Sequence, residues 1–310
     1  MARKVVLDCD PGQDDALALL LALASPEEIA LAAVTTVAGN VPLELASANA
    51  RKILELAGRP EVPVHAGCAR PVLVPLSTAE AIHGDSGLDG VDLPPPRLPL
   101  ASEHAVRTIV RTIAEHPPGT VSLCAIGPLT NIALAILLEP AIVPRLAEIV
   151  VMGGAIGLGN VTPAAEFNFW VDPHAAAVVF GSGAPITMVP LDLTRRVRLN
   201  PERLARIRAL GNPVARACAD FLAFYDARCR ARGDGEGAAL HDPCALAWLL
   251  RPGLFRARRA RVAIETEGRF CRGRSVVSFP ADGDPAEVRL LTEIDAEGFF
   301  ELLIARLARF

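Results

Sequence analysis

Apolar residues fall in continuous runs over the first two thirds of the chain, each run followed by a stretch with helical spacing. Lys4–Cys9 reads as a strand and Asp14–Ala24 as a helix stopped by Ser25-Pro26. Ile29–Val37 is a second apolar run, followed by a helix over Leu43–Ala57 that ends at Gly58. Val62–His65, Thr120–Ile126, Glu148–Met152 and Ile186–Leu191 continue the strand series, with helices expected at Leu129–Leu138 and Pro173–Phe180. Strands that are apolar throughout, alternating with helices, predict an α/β protein: a mostly parallel central sheet covered by helices on both faces. After Arg258 the pattern turns to β at Arg261–Glu265, Ser275–Phe279 and Glu287–Leu291, and closes with a helix from Asp295.

Two stretches break the rhythm. Ala66–Ser102 is rich in Pro and Gly and offers no convincing element, and a loop of that length is usually a functional lid or a disordered segment. Ala227–Leu240, ARCRARGDGEGAAL, reads as a plain surface loop between a helix and His241-Asp242-Pro243. No internal repeat or linker interrupts the chain, so a single domain spanning 1–310 is expected.

Composition narrows the class. With 310 residues, 51% of them hydrophobic, the chain can bury a substantial core. A net charge of −4 gives no field that would attract a polyanion, so nucleic acid is not an expected partner. Lys4 and Lys52 are the only lysines, so chemistry needing a lysine in the body of the domain has no candidate. The seven cysteines are scattered and never form a CxxC pair, as expected of reduced thiols in a cytoplasmic protein. MARKVVLDCD enters a strand at once without a leader pattern, and the longest apolar stretch, Ala16–Ala24, is too short to span a bilayer; no membrane partner is expected.

In parallel sheets ligands bind beyond the carboxyl ends of the strands. Those positions hold Asp8, Asp10, Asp14 and Asp15, then Asn40, the loop with His83, Ile126-Gly127, the segment with Asn160, Glu166 and Asn168, and finally Asp192. Four carboxylates within eight residues repel unless something neutralises them. Helix capping explains one of them but not the set. Oxygen donors without cysteine suit Ca²⁺ or Mg²⁺ better than zinc, and the spacing is not that of an EF-hand. His241-Asp242-Pro243 by itself is an N-cap followed by the favoured first-turn proline. Asn160–Asn168, NVTPAAEFN, offers amides and a carboxylate suited to hydroxyl recognition, or simply turn chemistry.

Together these segments resemble the inosine–uridine nucleoside hydrolase family. The resemblance rests on DxDPGxDD at Asp8–Asp15, GPLTN at Gly127–Asn131, TPxAEFN at Thr162–Asn168 and HDP at His241–Pro243, in order. It implies a Rossmann-like nucleoside hydrolase fold, and hydrolysis of the N-glycosidic bond of ribonucleosides. It also implies a Ca²⁺ held by Asp10, Asp15, Asp242 and the Ile126 carbonyl, with Asp10 activating the attacking water. Asp14, Asn40, Met152, Asn160, Glu166, Phe167 and Asn168 would bind the substrate, with His83 and Tyr225 near the base and His241 as proton donor. Position 229, often aromatic or polar in relatives, is Cys229, and Trp170 and Trp248 do not match the purine-sandwiching tryptophans; pyrimidine or broad preference is expected. A homodimer or homotetramer is implied as well.

Two other readings compete. A haloacid-dehalogenase-like phosphohydrolase also opens with DxD, but Pro11 follows the second Asp here and no lysine lies beyond Lys52. A non-catalytic calcium- or nucleoside-binding protein on the same fold would carry the same residues. The glycines of Gly153–Gly159 lack the GxGxxG spacing of a dinucleotide site.

Overall fold

The structure is a computed structural model that describes residues 2–233, 235–281 and 288–310. Its strands are β1 (Arg3–Cys9), β2 (Ile29–Thr36), β3 (Val64–Ala66), β4 (Val121–Ala125), β5 (Leu146–Met152), β6 (Ile186–Val189), β7 (Phe255–Ile264), β8 (Ser275–Ser278) and β9 (Val288–Ile294). Helices α1 (Gln13–Leu23), α2 (Leu43–Leu56), α3 (Glu80–His83), α4 (Ala105–Glu115), α5 (Thr130–Leu138), α6 (Phe167–Val171) and α7 (Pro173–Phe180) fall in the first two thirds. They are followed by α8 (Leu191–Thr194), α9 (Pro201–Ala209), α10 (Pro213–Arg232), α11 (Pro243–Leu250) and α12 (Ala296–Leu307).

The strands form one sheet in the order β3-β2-β1-β4-β5-β6-β9-β7-β8. Pairing is parallel from β3 through β9, and β7 runs antiparallel to both of its neighbours. The expected mostly parallel sheet is therefore what forms. β1 sends alternate residues to opposite faces, as the strand period of two requires. Val5, Leu7 and Cys9 join the core under α1, α10 and α11, while Val6 joins a second core with α4, α5 and α7. Helix α1 is buried on every side, which its uninterrupted Ala and Leu sequence permits.

Chain order reverses between β1 and β4: β2 and β3 lie on one side of that gap, β5 and β6 on the other. The connections on the two sides depart in opposite directions and leave a crevice at the strand ends. The crevice opens beside Cys9 and Ala125, the last residues of the two strands.

Most expected elements appear within a residue or two of their expected bounds, but β7 begins at Phe255, six residues before the expected Arg261, and four other differences stand out. Ala105–Glu115, AVRTIVRTIAE, forms an amphipathic helix whose Val106, Ile109 and Ile113 are buried; the sequence reading passed over it. The Pro- and Gly-rich stretch after β3 folds one short helix, α3, and its Ala101 bridges to His65. The supposed surface loop from Ala227 is helical as far as Arg232, because nothing breaks α10 before Gly233 caps it at φ +89°. The expected strand Glu287–Leu291 starts at a residue outside those described; the observed strand runs Val288–Ile294.

Candidate active site

The turn between β1 and α1 builds the floor. Pro11-Gly12 reverses the chain, and the Asp15 carboxylate reaches back to accept from the backbone N–H of Asp10 (3.1 Å) and of Gly12 (3.0 Å). Asn40, from the loop after β2, locks the arrangement. Its backbone N–H donates to Asp10 Oδ2 (2.6 Å), and its side-chain Nδ2 donates to the Asp10 carbonyl (3.1 Å) and Asp15 Oδ2 (3.0 Å). Asp10 Oδ1 is buried and receives no hydrogen bond among the described residues. Glycines flank this carboxylate: a Cβ on Gly39 would lie 2.1 Å from Oδ2, and one on Gly127 would lie 2.4 Å from Oδ1. No larger residue fits at either place without moving Asp10.

Asp242, arriving at the start of α11, completes the floor. One carboxylate oxygen from each of Asp14, Asp15 and Asp242 lies within 4.8 Å of the others. Asp10 stands against Asp15 just outside that trio. Asp10 and Asp15 are fully buried, and Asp14 and Asp242 are 4% exposed. Burial first, and then mutual repulsion, pushes the Asp10 and Asp242 carboxyls well above the usual carboxylate range; burial also takes Asp14 up to about 7. Buried, oxygen-only and with one oxygen unpartnered, this donor set fits a hard divalent cation.

Asp8 sits one layer deeper. Its Oδ1 accepts from Thr35 (2.5 Å) and Asn131 (2.8 Å), its Oδ2 has no partner among the described residues, and burial raises its pKa to about 7. It braces the strand ends, and Asn131 of GPLTN is the residue that ties β1 to α5.

The wall beyond β5 is a connected amide network. Asn168 Nδ2 donates to the Ile126 carbonyl (2.9 Å) and the Met152 carbonyl (3.1 Å). Glu166 caps α6, accepting from the N–H groups of Asn168 (2.8 Å), Gly154 (2.9 Å) and Phe169 (3.2 Å), and burial raises its pKa to about 7. Asn160 Oδ1 accepts from the Phe167 N–H at 2.9 Å. Arg195 donates to the carbonyls of Leu158 (2.8 Å) and Gly159 (2.6 Å), and Arg232 to that of Asn160 (2.7 Å), so two arginines clamp the loop. Asp192 instead accepts from Ile156 and Gly157 N–H and supports the loop from behind.

Two histidines line the cavity beside the floor. His83 stacks on Tyr225 with centroids 5.6 Å apart and planes 14° apart, and Tyr225 donates to the Ala239 carbonyl at 3.4 Å. His241 Nδ1 lies 2.7 Å from Thr194 Oγ1. Burial lowers His83 to about 4; burial, reinforced by Arg195, lowers His241 to about 3, so both rings are neutral at pH 7.

All of this surrounds a cavity of about 520 Å³. Asp14, Asn40, His83, Ile126, Met152, Asn160, Glu166, Phe167, Asn168, Tyr225, His241 and Asp242 all line it, and Asp10 and Asp15 lie buried beside them. Every residue that the family resemblance points to for the site is thus brought to one place, together with Cys229, whereas Asp8 and Asp192 lie behind the cavity lining. Trp170 packs under Arg272 and Trp248 against Phe255, both away from the cavity. The sequence reading missed Thr194, Arg195, Arg198 and Arg232. Thr194 and Arg195 follow β6 closely enough for the strand-end rule to have found them. Arg232, Gly233 and Gly235 belong to the stretch read as a plain surface loop, which in fact forms part of the cavity wall.

A family model described as inosine-uridine preferring nucleoside hydrolase matches residues 5–301. An uncharacterised protein of Schizosaccharomyces pombe is 47% identical over 308 residues, covering 99% of both chains. The pyrimidine-specific ribonucleoside hydrolase RihA of an Enterobacter species is 45% identical over 312 residues, covering 100% of this chain and 99% of its own. Among solved structures, a purine-preferring ribonucleoside hydrolase from Gardnerella vaginalis superposes with a TM-score of 0.92 at 32% identity, covering 99% of this chain and 98% of its own. A plant nucleoside hydrolase superposes with a TM-score of 0.91 at 31% identity, covering 99% of each.

Proposed function

The chain belongs to the inosine-uridine preferring nucleoside hydrolase family, and from that premise we propose a division of labour among the residues around its cavity. It is an N-ribosylhydrolase: its substrate is a small ribonucleoside, and water cleaves the N-glycosidic bond to give ribose and free base. The observation that carries the proposal is the gathering of four buried carboxylates and two neutral histidines around one cavity.

In this reading Asp10, Asp15, Asp242 and the Ile126 carbonyl hold Ca²⁺, supported by the oxygen-only donor set and the unpartnered Asp10 Oδ1. Bound there, the cation would neutralise the carboxylates and orient water and sugar hydroxyls. Asp10 serves as general base: Asn40 occupies its Oδ2 and leaves Oδ1 free to take a proton from the attacking water. Bond breaking at C1′ develops oxocarbenium-like positive charge, which the surrounding carboxylates stabilise. Asp14, Asn40, Asn160, Glu166 and Asn168 would grip the ribose, with Met152 and Phe167 packed beside it. Geometry at Asn160 is held by the arginine clamp on its loop.

The departing base gains negative charge and needs a donor. Thr194 Oγ1 is 2.7 Å from His241 Nδ1 and 3.5 Å from its alternative acceptor, the Leu191 carbonyl, so the hydroxyl donates to the ring. Neutral His241 then carries its hydrogen on Nε2 and donates a hydrogen bond that stabilises the negative charge developing on the departing base.

Pyrimidine or broad inosine/uridine-type preference follows from the relatives named pyrimidine-specific, which at 41–45% are nearer in sequence than the purine-preferring structural neighbour at 32%. The same proposal includes a single domain over 1–310, supported by the one sheet to which all described strands belong. It also includes a homodimer or homotetramer in the cytoplasm; free cysteines suit a reducing compartment, and no described helix is long and apolar enough to cross a membrane. The deciding experiment is hydrolysis of a panel of ribonucleosides and deoxyribonucleosides with and without chelator. Uridine and inosine should be cleaved, deoxyribonucleosides poorly, and chelator should abolish turnover. Unchanged turnover in chelator would remove the metal from the reading.

A further inference from the structure

Gln13, the first residue of α1, is fully buried, yet its side chain turns away from the carboxylates and towards the α3 loop. Its Nε2 donates to the carbonyl oxygens of His83 (3.0 Å) and Asp89 (3.1 Å), and its Oε1 lies 2.6 Å from His83 Nδ1. Carbonyl oxygens only accept, so the NH₂ end of the amide must face that pair. The Oε1 end is then an acceptor as well, and the hydrogen in the 2.6 Å contact must come from the ring. Turning the amide over would set acceptor against acceptor at both carbonyls. The His83 proton therefore sits on Nδ1.

A neutral imidazole carries a single N–H, so Nε2 holds a lone pair. The ring lines the cavity and stacks on Tyr225, and Nε2 has no hydrogen bond among the described residues. We infer that Gln13 is a positioning residue that holds His83 in the Nδ1–H tautomer, so that Nε2 accepts a hydrogen bond from an N–H group of the nucleobase. The inference rests on the nucleoside-hydrolase reading of the cavity. It gives the two histidines opposite polarity: His241 donates to the base and His83 accepts from it. Bases with a ring N–H beside a carbonyl, as in uracil and hypoxanthine, meet that acceptor; the bare N3 of cytosine does not.

Gln13 also ties down the α3 loop, so two substitutions separate its roles. Gln13→Leu removes both the loop tie and the acceptor facing Nδ1. Gln13→Glu removes the tie to the carbonyls and keeps an acceptor facing Nδ1. In the full chain with calcium present, two-bond ¹H–¹⁵N spectra should show the His83 ring protonated at Nδ1, the signal being identified by its loss in His83→Asn. Gln13→Leu should populate the Nε2–H form, and Gln13→Glu should not. In kinetics, 3-methyluridine, whose ring N–H is replaced, should show a KM roughly two- to tenfold above that of uridine. That difference should shrink in Gln13→Leu and persist in Gln13→Glu. A parent ring protonated at Nε2, or equal KM values for the two nucleosides, overturns the inference even if Gln13→Leu cannot be purified folded. Failure to hydrolyse any nucleoside would instead sink the function reading, while the ring spectrum still decides the tautomer.

Discussion

Replacing Gly127 by alanine should disable the enzyme while leaving it folded. The added Cβ would lie 2.4 Å from Asp10 Oδ1 and 3.1 Å from Val37 Cγ1, where ordinary contact begins at 3.4 Å. The carboxylate, or the end of β4, must therefore give way by about 1 Å. Asp10 has little room to retreat: its other oxygen is held at 2.6 Å by the Asn40 N–H and pressed against the Gly39 backbone. A displacement of about 1 Å in a reacting group lowers turnover by roughly a hundredfold, and the overpacking itself costs about 1–3 kcal/mol of stability. The assay is uridine hydrolysis at saturating substrate beside a thermal melt, with Gly253→Ala, which meets nothing within 4 Å, as control. A Gly127→Ala enzyme with a lowered melting temperature and kcat within about twofold of the parent would refute the placement of Asp10 at the reacting centre.

Asp10→Asn should stay folded and lose most activity; equal turnover would rule Asp10 out as the base. Calorimetric titration of metal-stripped protein with Ca²⁺ should show binding, and saturation at 100 times Kd should add about 2.7 kcal/mol to folding stability. Asp242→Asn should abolish both effects, and silence in the parent titration would count against calcium. Thr194→Val removes the hydroxyl that faces His241 Nδ1 and should lower kcat on uridine roughly tenfold, with recovery in Thr194→Ser. A 4-nitrophenyl riboside, whose leaving group needs no proton, should be hydrolysed by Thr194→Val at the parental rate. An equal loss on both substrates would make Thr194 merely structural.

The strands and three of the four floor carboxylates were readable because their signals are local in the chain. Apolar runs such as Val5–Leu7 and Val121–Leu123 declare buried strands, and Asp10, Asp14 and Asp15 lie within one turn and the start of one helix. The base end was harder. His83 comes from α3, Thr194 from α8, Tyr225 from α10 and His241 from the start of α11, and nothing in their spacing brings them together. Gln13 reads as one more polar residue at a helix start until the carbonyls of His83 and Asp89 are seen across from it. Arg232 was hidden by the opposite error. The glycines that follow it suggested a loop, although the helix itself carries the arginine to the cavity rim.

The floor of the cavity joins residues far apart in the order of synthesis. Asp10, Asp14 and Asp15 emerge from the ribosome more than two hundred residues before Asp242. β1, the strand that carries the first cluster, lies mid-sheet between β2 and β4, so it too waits for later partners. Sheets closed by such distant pairings assemble slowly. A nascent chain halted before α11 carries the mutual repulsion of the early aspartates without Asp242, the last member of the proposed cation site. On the proposed metal assignment, capture of the ion would wait for α11, and the ion would act as a late latch on assembly rather than as a nucleus for it.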